Sequence, residues 1–290
     1  MSKDKGSPAT QWHPLFAALL RPLMQDYYDV QTNVPVGDAP READVLLLQR
    51  IGSASPPFRG LWRHLTTWNI LEFKGPTVDA RIRDLDLLVE LGLGIDRRMN
   101  EERHRRREER VEPENVSFWY LAKSLGRRFL PDARHLLGSL DEVAAGLWRS
   151  QIMRHPVFLV SSERWPTEPD SVPLHLLFER PPEQERELAR IIIERPRFLE
   201  WYRSILGVLH PDVWQEVKPM AGAKRKSMEP KPDWNFLVED YGVDALVKAM
   251  GVRRVIETVG PERIIKEMGV DWFISKLPPA QLKKLKEHLK

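Results

Sequence analysis

Leu15, Phe16, Leu19, Leu20, Leu23, Met24 and Tyr27 recur at three-to-four spacing, the period of a helix that buries one stripe, and predict a helix over residues 13–29. The pattern then shortens. Gln31 to Val36 alternates weakly and stops at Gly37-Asp38-Ala39-Pro40, which predicts a first strand and its turn. Glu42 to Ile51 holds the run Val45-Leu46-Leu47-Leu48 and predicts a second strand, followed by a loop through Gly52-Ser53-Ala54-Ser55-Pro56-Pro57. Thr67 to Lys74 is a mostly apolar third strand closed by Gly75-Pro76. Helical periodicity returns from Val78 to about Arg98 through Ile82, Leu85, Leu88, Val89 and Leu91, and Val116 to Leu121 reads as a fourth strand. The expected class is α/β, in the order helix, three strands, helix, strand.

Beyond residue 125, Leu140 to Ser150 predicts a short helix. Pro156 to Val160 and Val172 to Phe178 predict strands, and Pro182 to His210 predicts two helices broken at Arg195-Pro196. This stretch extends or covers the core, with no chemistry assigned to it. Pro219 to Pro232, with its basic Lys224-Arg225-Lys226, lacks an apolar stripe and reads as a linker. After it the chain repeats every nine residues, punctuated by Gly242, Gly251, Gly260, Gly269 and Pro278, with apolar residues at the second, fifth, sixth and ninth positions. That pattern suits short helices that stack on one another or on a partner. The expected organisation is a domain over 1–218, a linker over 219–232 and an all-helical repeat tail over 233–290.

The chemistry is concentrated in the third strand. Side chains at i and i+2 share a strand face about 7 Å apart, so Glu72 and Lys74 point the same way while Leu71 and Phe73 point into the layer behind. If a neighbouring strand brings Asp44 alongside, two carboxylates can hold a divalent cation, with Lys74 beside them to orient a water or meet developing negative charge. Glu-x-Lys also occurs as an ordinary solvated pair at a strand edge, where the lysine contributes little to packing.

Asp44, Glu72 and Lys74 resemble the motif of the PD-(D/E)XK nuclease superfamily. The layout of long helix, short strands, Glu72-Phe73-Lys74 and a further helix looks most like the recombination-promoting nuclease and transposase-related (Rpn-like) proteins of bacteria. The resemblance covers roughly residues 13 to 125. It implies a restriction-endonuclease-like core, Asp44 and Glu72 as metal ligands, Lys74 as a further catalytic residue, Mg²⁺ or Mn²⁺ as cofactor and DNA as substrate. Two positions depart from the pattern. Ala43 stands where the name-giving proline would be, and residues 13–29 contain no Glu, leaving Asp26 or Asp29 as the nearest acid.

Composition sets outer bounds. The 290 residues are 42% hydrophobic and 30% charged, as in a soluble globular protein, and the absence of cysteine excludes disulfides and thiolate zinc sites. No signal-like or membrane-spanning apolar run occurs, so a cytoplasmic protein without membrane contact is expected. Net charge is only +3, so nucleic-acid contact would depend on local clustering. The cluster is Arg97 to Arg110, where Arg103, Arg105, Arg106 and Arg107 are the candidate phosphate contacts. Its interspersed acids equally suit an exposed helix end or loop laced with ion pairs. No phosphate-binding glycine loop, nucleophile elbow or zinc-protease motif is present, and the eight histidines stand singly. The sequence therefore points to a metal-dependent DNA endonuclease, with homodimerisation left open. The alternative is a catalytically silent nuclease-fold protein that serves as an interaction module.

Overall fold

The computed structural model describes residues 12–217, apart from 33, 37–40, 44, 76–77 and 179. The chain opens with helix α1 (Trp12–Met24), which packs Leu15, Phe16, Leu19, Leu20 and Met24 against one sheet face. It ends sooner than the apolar spacing predicts, because Tyr28 and Val30 alternate with Asp29 and Gln31 as strand β1 (Tyr28–Gln31). The predicted first strand therefore starts earlier, and its second half becomes β2 (Val34–Val36), which pairs with β3 (Arg41–Ala43) in a separate two-stranded ribbon. β4 (Leu46–Arg50) and β5 (Trp68–Phe73) follow, then the long α2 (Ile82–Arg105) and β6 (Val116–Ala122). The predicted order of helix, strands, helix and strand is present.

β4 pairs antiparallel with both β1 and β5, whereas β5 and β6 are parallel. After α3 (Phe129–Leu137) come β7 (Asp141–Ala144), β8 (Leu147–Ile152) and β9 (His155–Ser161). The last lies parallel beside β6, completing a mixed seven-stranded sheet in the order β1-β4-β5-β6-β9-β8-β7. Every residue of β6 and β9 is buried, as strands covered on both faces require. One face carries Leu46, Leu71, Phe73, Trp119 and Phe158 under α1 and the C-terminal helices. The other carries Leu47, Ile70, Phe118, Tyr120 and Leu159 under α2 and α3. The molecule is a three-layer α/β fold.

Two predicted elements are corrected. Leu140 to Ser150 forms the β7–β8 hairpin instead of a helix, because Ala145-Gly146 makes the turn. Gly146 has φ 76°, and a Cβ there would lie 2.8 Å from the Ser161 carbonyl oxygen. Val172 to Phe178 begins as the short helix α4 (Val172–His175) instead of a strand. The Glu168 N–H donates to Ser171 Oγ at 3.0 Å and Pro173 sits in the first turn, where its missing N–H costs nothing. The two predicted helices broken at Arg195-Pro196 are observed as α5 (Pro182–Glu194) and α6 (Pro196–Leu209), followed by α7 (Pro211–Val217). The linker and the nine-residue repeats lie outside the described residues.

Candidate active site

β5 ends at Phe73, with Glu72 one residue inside and Lys74 one residue beyond. The ladder continues past the strand, since the Lys74 N–H donates to the Leu121 carbonyl at 2.8 Å. That bond fixes the backbone at the carboxyl ends of two parallel strands, where open α/β sheets commonly place their ligands. Lys74 Nζ lies 2.7 Å from Glu72 Oε1 and 3.1 Å from Asp84 Oδ2. Its side chain is 16% exposed, so this is a half-buried bridge between two carboxylates. The strand-edge lysine that adds little to the fold is therefore not what the structure shows.

Asp84 belongs to no motif that the sequence displays. It lies in the first turn of α2, where the helix dipole favours a carboxylate, and it follows the turn that closes β5. An acid in the first turn of a helical run is the signal that could have found it. The start of α2 is anchored by the Arg81 N–H, which donates to Tyr120 Oη at 3.2 Å. Tyr120 is the β6 residue directly opposite Glu72. Burial raises its hydroxyl pKa, with Asp84 and Glu72 adding in the same direction, so the ring stays a neutral phenol beside the charged cluster. For Lys74, burial alone would lower the pKa, but Glu72 and then Asp84 outweigh it and the net direction is upward. The amine stays protonated and acts as a cation.

α1 contributes His13 where the family resemblance would look for an acid. Its Nε2 accepts the Phe73 N–H at 3.1 Å and lies 3.8 Å from Glu72 Oε2. The ring thereby holds β5 in place as an acceptor. Asp29 lies elsewhere: it pairs with Gln49, at the end of β4 remote from Leu46, and accepts from Gln31 Nε2 at 2.6 Å. Asp26 is solvent-exposed in the turn after α1. Asp44 lies outside the described residues. Two positions later, Leu46 pairs with Leu71, so β4 runs alongside the strand that carries Glu72. At the opposite end of β5, buried Asn69 and Ser117 are satisfied by each other and by Thr66, which marks them as structural.

The basic run resolves into a helix end, because α2 continues through Arg105. Arg98 pairs with Glu102 at 3.1 Å. Arg103 is held by Glu108 at 2.9 Å and by the Glu109 carbonyl at 2.7 Å. Arg105, Arg106 and Arg107 are exposed. From Asp84 to Arg105 the helix axis covers about 30 Å at ~1.5 Å per residue. The run is therefore at the far end of α2 from Lys74, not beside the site as its place in the sequence suggests. Arg105 borders a cavity of about 690 Å³ that also meets Asp96 and Asn100. Asp96 is pushed up by burial, and Asn100 clamps the Val111 backbone through both amide atoms, at 2.8 and 3.2 Å.

Among the described residues no group of three or more His, Asp or Glu side chains is arranged to hold a metal ion. The donors present are hard carboxylate oxygens of the kind Mg²⁺ takes one or two at a time. Comparison with protein-family models, with curated proteins and with solved structures found no match.

Proposed function

We propose that the chain is a metal-dependent phosphodiesterase acting on DNA, with Glu72 and Asp44 as metal ligands and Lys74 as the cation beside them. The observation that carries this reading is the Glu72–Lys74 pair at 2.7 Å, at the carboxyl end of a strand flanked by antiparallel β4 and parallel β6. The placement of α1 before those strands and of α2 between β5 and β6 also supports a restriction-endonuclease-like core. When bound, Mg²⁺ or Mn²⁺ supplies an activated water and neutralises phosphate charge. Lys74, kept protonated by its two acids, meets the negative charge that develops at phosphorus or orients the attacking water. Asp84 positions Lys74, and Tyr120 and His13 hold the ends of α2 and β5 around it.

A second reading, a silent fold kept for interaction, is favoured by one feature. Lys74 already bridges Glu72 and Asp84, so a cation entering there would compete with an internal ion pair. Titration of Mn²⁺, with free ion read by electron paramagnetic resonance, separates the two. The phosphodiesterase reading expects a saturable site that Glu72→Gln weakens at least tenfold. No saturable binding, in the presence or absence of DNA, would leave the interaction reading.

A further inference from the structure

The carboxyl ends of β6 and β9 border a second cavity, of about 470 Å³, lined by Lys123, Ser162, Glu163, Phe178, Arg180 and Gln184 among others. It belongs to the same end of the sheet as Glu72 and Lys74. Lys123 follows by two residues the Leu121 whose carbonyl takes the Lys74 N–H, a step of about 7 Å along a strand. Phe178, on the cavity wall, sets its ring 5.7 Å from that of Phe73 at a tilt of 40°, on the sheet face opposite Glu72 and Lys74. The backbone here is locked, since the Ser162 N–H donates to Ala122 O at 3.0 Å and the Glu163 N–H to Lys123 O at 3.1 Å.

The polar groups of this cavity are under-used. The Arg180 guanidinium donates to Thr167 Oγ1 and to the Ser162 carbonyl, both at 3.3 Å, and both acceptors are neutral. Burial lowers its pKa, which Glu185 only partly opposes. The nearest carboxylate, Glu185, accepts the Arg180 backbone N–H at 3.1 Å, and among the described residues no carboxylate forms an ion pair with the Arg180 guanidinium or with Lys123. Ser162 is 1% exposed and its Oγ makes no hydrogen bond. Native proteins rarely leave a buried hydroxyl unsatisfied. Rotation about χ1 is the one movement that would turn it toward an incoming oxygen. Two cations, a spare hydroxyl and an amide at Gln184 outnumber the single acid, exposed Glu163.

We propose that this cavity is a phosphate-binding subsite for a nucleic-acid strand, in which Lys123 and Arg180 hold a backbone or terminal phosphate. The nucleic-acid source rests on the phosphodiesterase reading, whereas the affinity for phosphate rests on Lys123, Ser162 and Arg180 alone. The size suits one nucleotide unit, and the Phe178 wall gives its sugar or base an apolar surface.

The test is calorimetric titration of the full chain in EDTA, where no divalent ion can contribute. The probes are inorganic phosphate and a four-residue single-stranded oligothymidylate with or without a 5′-phosphate. Wild type should bind the phosphorylated oligonucleotide at one site, more tightly than inorganic phosphate. Lys123→Ala should weaken that binding about tenfold, and Lys123→Arg should restore it. Among the described residues Lys123 makes no side-chain bond, so Lys123→Ala reads binding and not stability; Arg180→Gln adds a check if it folds. Absence of saturable binding, binding indifferent to Lys123→Ala, or inorganic phosphate bound as tightly as the oligonucleotide would each overturn the proposal. Lys123-dependent oligonucleotide binding in a protein that never cleaves DNA would support it while removing the catalytic reading.

Discussion

Lys74 bears on both the fold and the proposed chemistry. Removing it by Lys74→Ala leaves Glu72 and Asp84 facing each other with little water between, which should cost about 2 kcal/mol in denaturant melts, because breaking a partly buried pair strands its charges. Its raised pKa also fixes a direction with pH. The stabilisation is fully present below the unfolded lysine value of about 10.4, and it is lost as pH rises through the higher folded value. The stability gap between wild type and Lys74→Met should therefore narrow from pH 9 toward pH 12. His175 sets the acid side. Burial first, and Arg180 second, lower its pKa to about 3. The unfolded chain then takes up the proton first, and stability falls as pH drops from about 6.5 toward 3, by up to ~1.4 kcal/mol per unit. Urea midpoints of His175→Gln between pH 4 and 7 should show a flatter acid limb than wild type; an equal slope would assign it to other groups.

At the scale of elements, α2 links the site to the basic end and lies tightly on the sheet. A Cβ on Gly92 would come 2.6 Å from the Phe118 ring, which His155 stacks from 5.0 Å away. The ring cannot retreat, so Gly92→Ala should destabilise by about 1–2 kcal/mol despite its better helix propensity, readable as a lowered Tm. At the other end, neutralising Arg105, Arg106 and Arg107 should flatten the salt dependence of DNA binding by up to about 0.9 log unit for each phosphate no longer neutralised, and an unchanged slope would make the run a solvated helix end. A duplex touching both ends of α2 spans about nine base pairs at ~3.4 Å each. The sequence made some elements legible and hid others for physical reasons. β6 and β9 stand out because strands buried on both faces must be continuously apolar. The β7–β8 hairpin was hidden because Ala145-Gly146 is a weak turn signal inside a stretch of helix formers. The following turn places Met153 and Arg154 at φ 46° and 72°, a conformation neither residue type announces. Glu72 and Lys74 were readable from strand phase alone. Asp84, His13, Lys123 and Arg180 reach their places through tertiary packing that one sequence does not display.

Across the whole molecule, each sheet face is covered by elements drawn from residues 12–217, with α1 and α4–α7 on one side and α2 and α3 on the other. A chain ending after Val217 should therefore keep a single cooperative melt, whereas a broad or strongly lowered transition would show that later residues complete the core. No helix among the described residues is long and apolar enough to cross a membrane. The proposed hydrolysis of DNA at the Glu72–Lys74 end of the sheet is tested by the Mg²⁺- or Mn²⁺-dependent nicking rate of supercoiled plasmid by wild type and Glu72→Gln, compared at equal fraction folded. Wild type should nick in a metal-dependent way, abolished by EDTA and reduced at least a hundredfold in Glu72→Gln. Equal rates in the two proteins, or no metal-dependent nicking of any DNA form, would contradict it.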